Sequence, residues 1–220
     1  MLIADAGRGC SALGRLAMTS FGIALATAFA LAVAPAVAQN APVASARATI
    51  QTIGADGSTL SVHTRAGEDQ IIHLSPKTRF VLVVPAALAD VKPGSFIGVA
   101  ALPGDGNELK AMEVHIFPEA MRGTGEGFRP FDLAPKSSMT NGNISARVDA
   151  TTGPKLTVTY KGGEQTIVVD PKTPIVAFEP GAQTDLKAGA AIIARGPKQE
   201  DGSIDAAFLL VGKDGLVPPM

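Results

Sequence analysis

The sequence is poor in the residues that usually announce a function. Among its 220 residues there is one cysteine, no tryptophan and one tyrosine. A single thiol excludes a disulfide framework and any multi-thiolate metal centre. Charged residues make up only 18%, and 19 basic against 20 acidic side chains leave a net charge of −1. That balance excludes a basic nucleic-acid binder, and the scarcity of Trp and Tyr removes the stacking platform that single-stranded nucleic acids need. A coiled coil and a highly charged disordered chain are excluded on the same figures. No G-x-S-x-G, H-E-x-x-H, P-loop or EF-hand pattern occurs. Gly123-Thr124-Gly125-Glu126-Gly127 is glycine-rich but lacks Rossmann spacing. With three histidines and no motif uniting Ser, His and Asp, the sequence predicts no enzyme.

What is present begins with a leader. Arg8 and Arg15 precede the uncharged apolar run Phe21 to Val33, and Ala36-Val37-Ala38 follows as a small-x-small cleavage site. Residues 1–38 therefore read as a signal peptide, with a mature chain from Gln39 that is periplasmic or secreted. Removing them takes away Cys10, Asp5, Arg8 and Arg15, leaving 17 basic and 19 acidic residues, a net −2. The mature chain is then thiol-free and offers no stretch apolar and long enough for a stable membrane span.

The remainder reads as one unit written twice. Leu60-Ser61-Val62 returns as Leu156-Thr157-Val158, and Ser75-Pro76-Lys77-Thr78 as Asp170-Pro171-Lys172-Thr173. Val91-Lys92-Pro93-Gly94 returns as Leu186-Lys187-Ala188-Gly189, and Asp105-Gly106 as Asp201-Gly202. The offset is 95 or 96 throughout, and the order is kept. Each unit alternates apolar and polar residues in short runs such as Thr59–His63 and Lys155–Tyr160, with turns at Asp-Gly and at Lys161-Gly162-Gly163-Glu164. The expected fold class is all-β: two tandem small OB-like or SH3-like barrels, residues 46–117 and 142–212. A pair of small β-sandwiches is the second choice. Closure would remove exposed strand edges in a chain without disulfides. Residues 118–141 join the units. They carry Phe128 and Phe131, with Phe117 just before, three of the seven Phe that follow the leader. A free linker is aromatic-poor, so this connection is expected to dock.

The run Asp-Gly-Ser-Thr-Leu-Ser-Val at 56–62, then Ser-Pro-Lys-Thr, Val-Lys-Pro-Gly and Asp-Gly before an apolar strand, resembles an exported bacterial domain-of-unknown-function family of small OB-like β-barrels. The resemblance covers both units. It implies a small barrel and a periplasmic address, and carries over no reaction and no catalytic residue.

All three histidines, His63, His73 and His115, lie in the first unit, where the second has Thr159, Val168 and Val211. The barrel does without imidazole in its second copy, so the asymmetry points to function. Parity turns His63 and His73 away from the Leu60/Val62 and Ile72/Leu74 face, and a three-residue loop would set them opposite or diagonal across a hairpin. With a third ligand they could hold Cu(II), Ni(II) or zinc; otherwise they are a solvated polar pair. A second cluster, His115, Glu119, Met121 and Met139, joins imidazole to thioethers and would suit Cu(I). The alternative is that Met121 and Met139 are pliable packing under the connection. Met112 shares its parity with Val114 and Ile116 and is assigned to the core. The expectation for function is a non-enzymatic binding or adaptor module without cofactor, facing another cell-envelope protein. The alternative is a periplasmic copper- or zinc-binding protein.

Overall fold

The computed structural model describes residues 42–149 and 153–220; the leader reading falls on residues outside these. The described chain is all-β. Its first strands are β1 (Val43–Ile53), β2 (Thr59–Thr64), β3 (Asp69–His73), β4 (Arg79–Pro85), β5 (Phe96–Pro103) and β6 (Leu109–Ile116). A short β7 (Gly127–Pro130) follows in the connection. Then come β8 (Ser138–Val148), β9 (Lys155–Tyr160), β10 (Gly163–Val168), β11 (Ile175–Pro180), β12 (Ala191–Pro197), β13 (Ile204–Asp205) and β14 (Phe208–Gly212). Single 3₁₀ turns at Leu88–Asp90 and Gln183–Asp185 occupy the same slot in each half, each with its aspartate accepting from the backbone N–H three residues earlier. Among the described residues no helix is long and apolar enough to cross a membrane.

Strand pairing gives a closed five-stranded barrel in the order β10-β9-β8-β5-β6, sealed by a parallel contact between β6 and β10 at Leu109↔Ile167 and Lys110↔Val168. Its strands come from both sequence units. β5 and β6 belong to the first and β8, β9 and β10 to the second. The converse set follows the same scheme: β1, β2 and β3 of the first unit pair with β12, β13 and β14 of the second. The exchange is visible in register. Asn143 stands opposite Phe96 just as Thr49 stands opposite Ala191. Both first strands also bulge at the same step, between Ile50 and Thr52 and between Ile144 and Ala146.

Alternation builds the two cores. Leu156, Val158, Ile167, Val99 and Val114 fill the barrel, whereas Leu60, Val62, Ile72, Ile192 and Leu209 fill the other set. Between them lies a third apolar layer. It contains Val81, Val83, Val176 and Phe178 of the antiparallel pair β4–β11, with Phe96, Phe117, Ile193 and Leu210. β5, β6, β12 and β14 thus face a core on both sides, and β5, β12 and β14 are nearly continuous in apolar residues while β6 carries Glu113 and His115 on the face toward the third layer. One local expectation shifts: the β9–β10 turn is centred on Lys161-Gly162, because Tyr160 pairs with Gly163. The connection docks and adds a strand of its own: β7 pairs with β8, and Phe131 and Met121 pack on the third layer.

Candidate functional site

The site grows from a bulge in β6. Ala100 pairs with Glu113 and Ala101 with Ala111, leaving Met112 unpaired between them. The extra residue resets parity. Ala111 and Val114 turn into the barrel core, while Glu113, His115 and Phe117 look out of it toward the middle layer. Met112, assigned by parity to the core, is the half-buried bulge residue instead. Glu113 is 0% exposed and His115 3%. His115 Nδ1 lies 3.0 and 3.3 Å from the two Glu113 carboxylate oxygens. With the acceptor-only carboxylate on that side, Nδ1–H donates and the ring is fixed with Nε2 on the far side. The imidazole stacks on Phe178, centroids 4.8 Å apart and planes 18° apart, and meets the edge of Phe117 at 4.9 Å.

Only glycine fits beneath that ring. A Cβ on Gly98 would stand 2.0 Å from His115 Nε2 and 2.6 Å from Asn141 Oδ1. Asn141 Nδ2 donates to the carbonyl of Thr124 at 3.0 Å, which orients the amide, while Oδ1 has no hydrogen-bond partner although Asn141 is buried. The other half has no such arrangement. Gly98 faces His115 and Asn141; Ile193 at the equivalent register faces Leu210 and Arg47. The counterpart of His115 is therefore Leu210, one residue before the sequence-aligned Val211.

Above this point lies a cavity of about 360 Å³. His115, Asn141 and Met139 border it from the barrel; Ile193, Leu210 and Phe208 border it from the other strand set. The connection roofs it with Gly125, Arg129 and Phe131, and Met220 closes one side. Arg47 holds the roof down. It donates to both Asp132 carboxylate oxygens at 3.1 and 2.8 Å and to the Met220 carbonyl at 3.0 Å, with its guanidinium carbon 5.8 Å from the centre of the Phe131 ring. Arg129 and Arg195 also line the cavity. Arg129 donates to the Gly125 carbonyl at 2.6 Å, and burial, aided by the Arg195 charge, pushes its guanidinium below the usual arginine range. Among the described residues neither Arg129 nor Arg195 makes an ion pair.

The Arg47 hydrogen bond holds the Asp132 carboxyl below the ordinary carboxylate range, against a smaller opposing effect of burial. A carboxyl depressed in the folded chain contributes stability that is present above its unfolded value, about pH 4, and lost as pH falls through the folded one. Asp132→Asn is expected to flatten that acid limb in urea titrations taken between pH 5 and pH 2. The Asp132 side chain is 58% exposed, so the change is about 1 kcal/mol or less.

The six residues named as metal donors do not gather. His63 and His73 do point outward, as parity predicts, but register separates them: His63 faces Asp69 and His73 faces Thr59. Four strand steps separate them, about 13 Å at 3.3 Å per residue. The expected opposition across the hairpin is thus corrected. His63 Nδ1 is 2.8 Å from Asp69 Oδ1, and that hydrogen bond lowers the Asp69 carboxyl below its usual range. His73 borders a separate shallow depression with Asp69 and Asp201. Glu119 is 77% exposed and paired with Arg122. Met121 packs on the third layer. Only His115 and Met139 share the cavity. Among the described residues no three His, Cys, Asp or Glu side chains cluster as a metal site.

Sequence reading missed Glu113, Gly98, Asn141, Arg47, Arg129 and Arg195. One signal was available. Glu113-x-His115 puts two polar residues at alternate positions of a strand whose counterpart carries Phe208 and Leu210. Ser45 and Thr124 are hydroxyls at the cavity, and neither is bonded to His115.

No family model matches the sequence, and searches of curated proteins and of solved structures likewise return no match.

Proposed function

We propose that the chain is a non-enzymatic ligand-binding module of the cell envelope, and that its ligand occupies the cavity under the connection. The envelope address rests on the leader-like sequence of residues 1–38 and on the resemblance to exported barrel domains. The single observation that carries the binding reading is the cavity itself. Other depressions of the surface match or exceed its volume of about 360 Å³, which lies within the range of small-molecule sites, but their linings are more polar. Its walls are mostly apolar with a few fixed polar groups, the usual composition of such sites.

Methionine methyl groups supply the test. Met139 and Met220 border the cavity; Met112 does not. In a methyl NMR titration of the full chain with 1-decanol, the Met139 and Met220 signals are expected to shift saturably while Met112 stays still. Shifts that grow linearly with concentration, or that fall equally on all three, would refute a cavity site.

A second reading, metal holding, has one feature in its favour. Glu113 orients His115 as carboxylates orient metal-bound imidazoles, with Met139 on the same cavity. Two donors are one short of the three protein ligands of a common catalytic zinc centre. Cu(I) added in the same experiment should move Met139 if this reading holds.

A further inference from the structure

We propose that the ligand is an amphipathic carboxylate of about a dozen non-hydrogen atoms, its head between Arg129 and Arg195 and its tail over Phe208 and Leu210. This deepens the cavity reading and rests on it. Three guanidinium groups line the cavity, Arg47, Arg129 and Arg195; of the carboxylates beside it, Asp132 is engaged by Arg47 and Glu113 by His115. Arg47 already occupies both Asp132 oxygens. Arg129 is left part-buried with a neutral carbonyl as its hydrogen-bond acceptor and a second cation close enough to oppose its charge. Arg129 is half-buried, Arg195 is exposed beside it, and neither has an ion-pair partner among the described residues, so an anion is the group that would complement this place. A planar two-oxygen head matches the fork of a guanidinium.

The rest of the cavity sets the body of the ligand. Phe117, Phe131, Phe208, Ile193 and Leu210 offer no polar partner. A volume of about 360 Å³ is at the small end of the range for small-molecule sites, which suits a saturated chain of about ten carbons. Orientation follows from the floor. Asn141 Oδ1 is an acceptor without a donor and repels carboxylate oxygens, so the head is directed to the arginines and the tail to the apolar wall of the second strand set.

The probes are decanoate and 1-decanol, which share a tail and differ in charge, followed by calorimetry and by the Met139 and Met220 methyl signals of the full chain. Decanoate is expected to bind at least tenfold more tightly than decanol. Arg195→Gln, at an exposed strand position, and Arg129→Gln should each weaken decanoate at least fivefold and leave decanol within twofold. If decanol equals decanoate and both saturate the two methyls, the carboxylate assignment falls and the cavity reading stands. If neither perturbs those methyls, the cavity reading falls with it. Should Arg129→Gln fail to fold, Arg195→Gln decides alone: an unchanged decanoate affinity overturns the proposal.

Discussion

Glu113→Ala is expected to destabilise the chain by about 3 kcal/mol, measured by urea unfolding at neutral pH. Glu113 is wholly buried, and its side chain makes hydrogen bonds only to His115 among the described residues. Truncation leaves the His115 Nδ1–H without an acceptor between Phe178 and Phe117, which costs the desolvation of that donor, and it opens a void where the carboxylate stood. The second half of the chain indicates the remedy. At the registers equivalent to Glu113 and His115 it carries Phe208 and Leu210, paired with Arg195 and Ile193 as the former pair with Ala100 and Gly98. An apolar pair is therefore compatible with the same backbone. Replacing both partners removes the unsatisfied group, so Glu113→Leu combined with His115→Leu should recover most of the loss. A single variant within 1 kcal/mol of the parent, or a double variant no more stable than the single, would mean that the dyad has no structural coupling.

The same pair shows how far the sequence could be read. Strand positions, inward parity at Leu60, Val62, Leu156 and Val158, and the outward aim of His63 and His73 follow from period-two alternation, because β2, β3 and β9 each have one face in a core. The exchange of strands does not follow from it. β5 can present its edge to β1 or to β8, and both carry the same alternation and the same bulge, so nothing local to the strand distinguishes the partners. That choice is made by long-range packing. The candidate site escaped for a related reason. An unpaired residue at Met112 shifts the faces of β6, and period-two alternation does not reveal where a bulge resets it. Asn141 and Arg47 come together at the cavity only after exchange sets β8 against β5 and β1 against β12. Arg129 and Phe131 enter through the docked connection.

Gly196→Ala should test the packing of β12 against the 205–207 segment most directly. Gly196 lies in β12 opposite Ala44 of β1, and a Cβ there would stand 1.8 Å from the Asp205 carbonyl oxygen and 2.9 Å from the Ala207 nitrogen. Its φ is not in the left-handed region, so the backbone conformation would accept alanine and the conflict is one of space alone. Both opposing atoms are backbone, and neither can rotate aside as a side-chain tip can. The strand must move, and with it the seam where residues 205–207 are held between the Arg195 carbonyl, which accepts from Ala207, and the His73 carbonyl, which accepts from Ala206. The expected cost is about 3 kcal/mol or more, the upper part of the overpacking range. Gly163→Ala is the control. There the nearest atom is the Tyr160 hydroxyl at 3.1 Å, at the far end of a side chain, and the change should stay within about 0.5 kcal/mol. Native-state hydrogen exchange adds a local readout, with the Ala206 and Ala207 amides expected to lose protection before the β9–β10 hairpin does. Because Gly196, Pro197 and Ala207 also border the cavity, the same substitution should weaken decanol binding. A Gly196→Ala chain as stable as the Gly163→Ala control, with Ala207 still protected, would show that β12 and the 205–207 segment do not meet in solution.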